Sequence, residues 1–99
     1  MAHPLRYPQS RIPDARWVRD LSYPGIWLLV REPSGVAVGR VCALLQLRRT
    51  GDRRRHWRRL WWGKGKPGSG DVHGLLRYFP SRERAMRVVE ATWSEGTHP

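Results

Sequence analysis

The chain has 99 residues, enough for one domain with a single modest hydrophobic core. Hydrophobic residues make up 39% and charged residues 27% of the sequence, a balance that excludes an intrinsically disordered chain. Nineteen basic and eight acidic residues give a net charge of +11. We therefore expect an anionic partner: a nucleic acid, an anionic membrane surface or an acidic protein.

The location of the protein is predicted from what the sequence lacks. Cys42 is the single cysteine, so the chain forms no internal disulfide, which is typical of a reducing compartment. The first ten residues have no apolar core of the kind that signal peptides carry, and the longest apolar run, Ile26 to Val30, is too short to span a bilayer. We expect a cytoplasmic protein without a membrane partner.

Residues 1–25 are predicted to form an extended, proline-rich N-terminal arm. The prolines at positions 4, 8, 13 and 24 prevent any long helix or central strand there. A short helix over residues 14–21, capped by Asp14, is an alternative that the pattern leaves open. Trp17 and Tyr23 are expected to pin the arm to residues 26–96, which we expect to form the single domain.

The next part of the chain carries the pattern of three or four antiparallel strands. An apolar run starts at Gly25 and ends at a Pro-Ser-Gly turn, and the run over 36–49 alternates with its odd-numbered residues buried. A third strand is predicted over 54–62 and a short fourth one over 72–79. The glycine-rich stretch between them, 63–71, is predicted to be a flexible connector.

A helix over residues 82–94 is the clearest local signal. Ser81 stands at its N-cap and Glu83 in its first turn. One helical stripe, predicted to be the core face, holds Ala85, Met86, Val88, Val89, Thr92 and Trp93. Arg87, Glu90 and Ser94 lie opposite. The predicted fold is therefore α+β: a three- or four-stranded antiparallel sheet with one C-terminal helix packed on one face.

The third predicted strand alternates arginine with aromatic residues on both of its faces. One face holds Arg55, Trp57, Arg59 and Trp61, and the other holds His56, Arg58, Leu60 and Trp62. A single helix covers only one side of a sheet, so the other side presents guanidinium groups beside aromatic rings, which suits nucleic acid. Cross-strand packing of arginine stems over tryptophan rings is the alternative, with Leu60 and Trp62 as the core pair.

The basic residues concentrate between Arg48 and Lys66, where nine of them accompany a single acid, Asp52. A hairpin turn at Thr50-Gly51-Asp52 is expected to project the arginines on either side. A solvated turn with incidental charge, in a chain whose arginine content reflects a GC-rich genome, is the alternative. The candidate nucleic-acid-binding residues are Arg48, Arg49, Arg53, Arg54, Arg55, Trp57, Arg58, Arg59, Lys64 and Lys66, and we favour duplex DNA over RNA.

No pattern in the sequence indicates catalysis. The four histidines and Cys42 do not stand at metal-ligand spacings, and the acidic residues form no close pair. The glycine-lysine stretch lacks the order of a phosphate-binding loop, and Pro67 removes an amide donor from it. We expect no enzyme activity, no metal and no cofactor.

From His56 to Trp93 the chain resembles the AP2-like, integrase arm-type DNA-binding domain. That family has a Phe just before an alanine-rich helix that ends near a Trp, and Phe79, Ala85 and Trp93 stand at such places. The resemblance implies a sheet that packs on the C-terminal helix and enters the DNA major groove through Arg53, Arg55, Trp57 and Arg59. It also implies an accessory protein of a phage or mobile element.

Two functional hypotheses remain open at this point. The first is a small, non-catalytic protein that binds nucleic acid, with duplex DNA as its ligand. The second is a phage-type inhibitor or adaptor that binds a larger protein through the same basic, tryptophan-rich surface. Arginine and tryptophan are both enriched at protein interface hot spots, so composition does not separate the two.

Overall fold

The computed structural model describes residues 9–49 and 55–94, and of Arg48, Arg49 and Arg55 it describes the backbone alone. Its elements in chain order are β1 (Ala15–Arg19), β2 (Ile26–Arg31), β3 (Val36–Arg49), β4 (Arg55–Lys64), β5 (Leu75–Phe79) and α1 (Arg82–Ser94). The strands form one antiparallel sheet in the order β1-β2-β3-β4-β5. The predicted α+β fold, an antiparallel sheet with one C-terminal helix, is confirmed.

The sheet has five strands rather than three or four because residues 15–19 join it as an edge strand. They come from the segment predicted to be an extended arm, and the alternative of a helix there is wrong. Pro13 and Pro24 lie outside the strand, so they bound it without interrupting its hydrogen bonds. Trp17 pairs with Leu29 of β2 and is buried, whereas the Tyr23 side chain is exposed and lies outside the core.

The core lies between α1 and one side of the sheet, which we call the helix side. Trp17, Leu29 and Val41 of the sheet pack there against Ala85, Met86 and Val89 of α1. Gly39 and Gly63 make room for the helix: a Cβ atom on either would lie 2.6 Å from a methyl carbon of Val89. The two glycines therefore allow α1 to approach the sheet more closely than side chains would permit.

The ends and the stripe of α1 follow the predicted pattern with one exception. The Ser81 hydroxyl accepts a hydrogen bond from the Arg84 backbone N–H at 3.2 Å, as expected of an N-cap. Glu90, predicted to lie opposite the core, is buried at 2% exposure. Its carboxylate accepts hydrogen bonds from the Trp17 indole N–H and the Arg11 backbone N–H, both at 3.0 Å, and pairs with Arg87. A buried indole N–H needs an acceptor, and Glu90 supplies it.

The middle strands continue past the rest of the sheet. β2 pairs with β3 as far as Cys42, and β5 pairs with β4 only from Trp61 onwards. Residues 44–49 and 55–60 therefore pair only with each other among the described residues, and we call this two-stranded extension the ribbon. At about 3.3 Å per residue it extends by roughly 20 Å. The predicted turn at Thr50-Gly51-Asp52 lies outside the described residues.

Candidate nucleic-acid interface

The predicted site residues of β4 lie on both sides of the sheet. Trp57 pairs with Leu47, and Arg59 with Leu45, on the helix side. Arg58 and Lys64 lie on the opposite side, which carries no helix and which we call the open side. Because consecutive strand residues point to opposite faces, no single flat surface includes both Arg58 and Arg59.

The core pair expected on β4 is half right: Leu60 is buried, but Trp62 is only half-buried, and neither joins the core cluster under α1. Leu60 and Trp62 lie on the open side, while Trp61, on the helix side, packs against the core. Alternation alone leaves the choice of face open, and α1 takes the face that includes Gly63, where close approach is possible. Leu60 is buried on the open side, where its cross-strand partner is Leu44.

Two cations face each other on the open side without an acid between them. Arg40 of β3 is the cross-strand partner of Lys64 of β4, and no acidic side chain among residues 9–49 and 55–94 forms an ion pair with either. Like charges directly opposite each other destabilise a sheet. The Arg40 guanidinium carbon lies 5.3 Å from the centre of the Trp62 ring, which orients it. Such a pair is suited to an anion.

The open side of the ribbon adds further positive charge. Arg58 pairs across the ribbon with Gln46, and both side chains are exposed. His56, also exposed, pairs with Arg48, whose strand position is known but whose side chain is not described. Two acids lie nearby: Glu32 is paired with Arg16 at 2.7 Å, and Asp20 is close enough to Cys42 that burial and this carboxylate together raise the pKa of the thiol. Positive charge thus runs along the open side from Arg40 and Lys64 to the ribbon.

Several predicted site residues are only partly placed by the structure. Arg49 and Arg55 pair with each other at the end of the ribbon, without described side chains. Arg53 and Arg54 lie outside the described residues. Conversely, sequence reasoning missed Arg40 and the exposed Tyr78, which pairs with Trp62 on the open side. The signal for Arg40 was its even-numbered position in β3, in step with Gln46 and Arg48.

Lys66 is held against the helix and lies away from the ribbon. Its backbone N–H donates to the Thr92 hydroxyl at 2.9 Å, and its ammonium lies 5.7 Å from the centre of the Trp93 ring. The segment that follows, predicted to be flexible, is a series of hydrogen-bonded turns. The Asp71 carboxylate accepts hydrogen bonds from the backbone N–H groups of Leu75 and His73, both at 2.8 Å, and holds these turns in place. The same hydrogen bonds, that of Leu75 foremost, lower the pKa of the Asp71 carboxyl group. Lys64 and Lys66 therefore do not project together from a loose loop.

The other candidates for chemistry are placed as follows. Cys42 lies buried on the open side of β3, and burial raises the pKa of its thiol, which disfavours the reactive thiolate. Within residues 9–49 and 55–94, no three His, Cys, Asp or Glu side chains gather as a metal site would need. The described part of the chain also contains no helix long and apolar enough to cross a membrane.

Comparisons of the chain with protein-family models, with curated proteins and with solved structures find no match.

Proposed function

We propose that this chain is a small, non-catalytic nucleic-acid-binding protein that contacts duplex DNA through the ribbon and the open side of its sheet. The observation that carries the proposal is a projecting two-stranded ribbon, 44–49 and 55–60, with Arg58 on its open side and no acidic residue in its strands. The DNA major groove, about 12 Å wide, admits a two-stranded β-ribbon. An accessory role in a phage or mobile element rests on the resemblance of residues 56–93 and belongs to the same proposal.

In this proposal the open-side cations make two kinds of contact with DNA. Arg58, on the ribbon, reaches a base edge or a phosphate inside the groove, where a guanidinium can bind guanine in bidentate fashion. Arg40 and Lys64 lie farther along β3 and β4 and neutralise backbone phosphates outside the groove. Phosphates between these two cations also relieve their cross-strand repulsion. Arg48, Arg49, Arg53, Arg54 and Arg55 are predicted to add further contacts.

The salt dependence of binding tests the proposal. We expect duplex DNA to bind more tightly than single strands or structured RNA in fluorescence anisotropy measured between about 50 and 200 mM salt. With about five phosphate contacts, the slope of log K against log salt is about −4 to −5. The triple variant Arg40→Gln, Arg58→Gln, Lys64→Gln should flatten the slope by about two to three units.

A control variant with the same net charge distinguishes a site from a general field. Arg11, Arg77 and Arg84 are exposed and lie off the open side, so replacing all three with Gln removes the same charge elsewhere. We expect this variant to keep the original slope. An equal flattening in both variants would show a diffuse attraction. Binding near 150 mM salt no tighter than the non-specific range of about 10⁻⁴ to 10⁻⁶ M would rule out a specific DNA site.

The ribbon also carries the observation that favours the second candidate, an inhibitor or adaptor of a larger protein. Leu45, Leu47 and Trp57 on its helix side are 59%, 39% and 67% exposed. A contiguous row of large apolar side chains is typical of a protein-binding surface. If this is the main function, DNA binding is weak, indifferent to sequence and lost near physiological salt.

A further inference from the structure

The helix side of the sheet is covered along only part of its length. α1 packs over Gly39, Val41 and Gly63, and farther along the same strands no described helix lies over Ala43 or Leu45. A groove of about 620 Å³ occupies this place. We call it the ribbon groove: its floor includes Trp27, Leu45 and Trp61, and its rim consists of Arg19, Arg59 and Arg82.

The floor of the ribbon groove is apolar and continues onto the ribbon. Trp27 and Trp61, at the end of the groove that adjoins α1, pack against the core. Leu45 is 59% exposed, and Leu47 and Trp57 extend the same row. A continuous row of this kind leaves apolar surface in water that a second covering element would bury.

The rim of the ribbon groove is positively charged. Arg19 and Arg59 are exposed and have no acidic partner among the described residues. Arg82 is already paired with Glu83 at 3.0 Å through one guanidinium nitrogen. Its guanidinium carbon lies 4.9 Å from the centre of the Trp27 ring, and its buried Nε has no hydrogen-bond partner within the described chain. No acidic residue lines the groove, so its charge is complementary to an acidic ligand.

We propose that the ribbon groove binds an acidic amphipathic helix of a partner protein. The floor from residue 43 to 47 spans about 13 Å, the length of about nine helical residues. An apolar stripe on such a helix would cover Leu45 and Leu47, and its acidic flanks would reach Arg19, Arg59 and Arg82. The partner helix would thus repeat, on the ribbon, the packing that α1 makes on the adjoining part of the sheet.

The charges of the rim argue against other occupants. A second copy of the chain brings a net charge of +11 and would set arginine against arginine. A nucleic acid would satisfy the arginines but would not bury the leucine row. The cations assigned to DNA, Arg40, Arg58 and Lys64, lie on the open side, whereas the groove lies on the helix side, so this inference does not rest on the proposed function.

A designed helical peptide of roughly 14 residues tests the groove. This striped acidic peptide has leucines at i, i+3, i+4 and i+7 and glutamate at most other positions. A permuted peptide of the same composition lacks the apolar stripe, and a third peptide carries lysine in place of glutamate. In anisotropy near 150 mM salt, where exposed charges are screened beyond about 8 Å, we expect the striped acidic peptide to bind at least about tenfold more tightly than the permuted one. The lysine peptide should not bind.

Neighbouring arginines on opposite faces provide the matched variants. Arg59→Glu should weaken binding of the striped peptide by about tenfold or more, and Leu45→Gln should also weaken it, whereas Arg58→Glu should change it by no more than about twofold. For duplex DNA we expect the reverse order, with the larger loss in Arg58→Glu. The two proposals can therefore fail separately. Thermal melting of each variant checks that the fold is retained.

Four outcomes would overturn the inference. Equal binding of the striped and permuted peptides would show that the groove does not recognise a helix. Equal weakening of peptide binding by Arg58→Glu and Arg59→Glu would show that the groove is not the binding site. A dimer in sedimentation that dissociates in Leu45→Gln would assign the groove to a second copy. Displacement of the peptide by duplex DNA that persists in Arg58→Glu would assign it to nucleic acid.

Discussion

The two ends of the β3–β4 hairpin have the same alternating sequence pattern, but their helix-side residues differ in burial. At one end Val41 is fully buried under α1; four residues along the same strand and on the same side, Leu45 is 59% exposed. Both are large aliphatic residues in a regular antiparallel pair. The difference is the position of α1, which covers the sheet at Gly39 and Gly63 and leaves the ribbon uncovered. Alternation selects the side of a strand, and the position of the helix decides which part of that side is buried.

The chemistry of the two ends differs in the same way. The covered end contains a buried carboxylate, Glu90, fully engaged with Trp17 and Arg87, and two glycines fitted against Val89. The ribbon contains Arg58 and Arg59 without acidic partners among the described residues. We therefore expect stability to depend on the covered end and the proposed binding to depend on the ribbon, so variants that affect one should leave the other largely intact.

Two tryptophans give the largest expected contrast. Trp17→Ala removes a side chain that is 1% exposed and leaves a cavity under α1, so we expect a loss of about 3 to 5 kcal/mol in the free energy of unfolding. Trp57→Ala, at 67% exposure on the ribbon, should change it by no more than about 0.5 kcal/mol. Urea denaturation measures both. Equal losses would mean that the ribbon contributes as much to the core as the covered end does.

The glycine fit at the covered end predicts a smaller effect. Gly63→Ala places a Cβ atom 2.6 Å from Val89 Cγ2, so we expect overpacking to cost about 1 to 3 kcal/mol in the free energy of unfolding. Val89→Ala removes that methyl carbon, and the double variant should therefore lose less than the two single variants together. Thermal melting of the four proteins measures this cycle. If the losses in the free energy of unfolding simply add, the close approach of α1 to Gly63 is not the cause of the destabilisation.

The Asp71 turns give the smallest expected effect, which depends on pH. Backbone N–H groups, that of Leu75 foremost, lower the pKa of Asp71 in the folded protein. Its contribution to stability is therefore complete above the unfolded pKa of about 3.9 and is lost as pH falls through the lower folded value. Asp71→Asn keeps an oxygen that accepts these hydrogen bonds but cannot titrate. We expect its unfolding midpoint to fall less steeply below about pH 4 than that of the parent protein, and identical slopes would contradict the assignment.

Most of the fold could be predicted because it is encoded locally. The Ser81 cap and the 3.6-residue stripe define α1, and the odd-numbered apolar residues of β3 identify the side that α1 covers, although Leu45 and Leu47 on that side are exposed. β1 could not be predicted in this way, since a short edge strand between prolines has too few residues to show a period. Its place depends on Trp17, which pairs with Leu29 and donates to Glu90 from 73 positions away in the chain.

The candidate site, like the fold, has features that local sequence rules predict and others that depend on tertiary contacts. The sequence by itself determined that positive charge and tryptophan concentrate in one hairpin, and that Arg58 and Arg59 lie on opposite faces, because strand alternation is a local rule. Only the tertiary structure decided which face stays open, that Arg40 joins Lys64 there, and that Lys66 is held against α1 instead. These outcomes depend on strand register and on where the helix packs, and both are set by contacts between residues far apart in the chain.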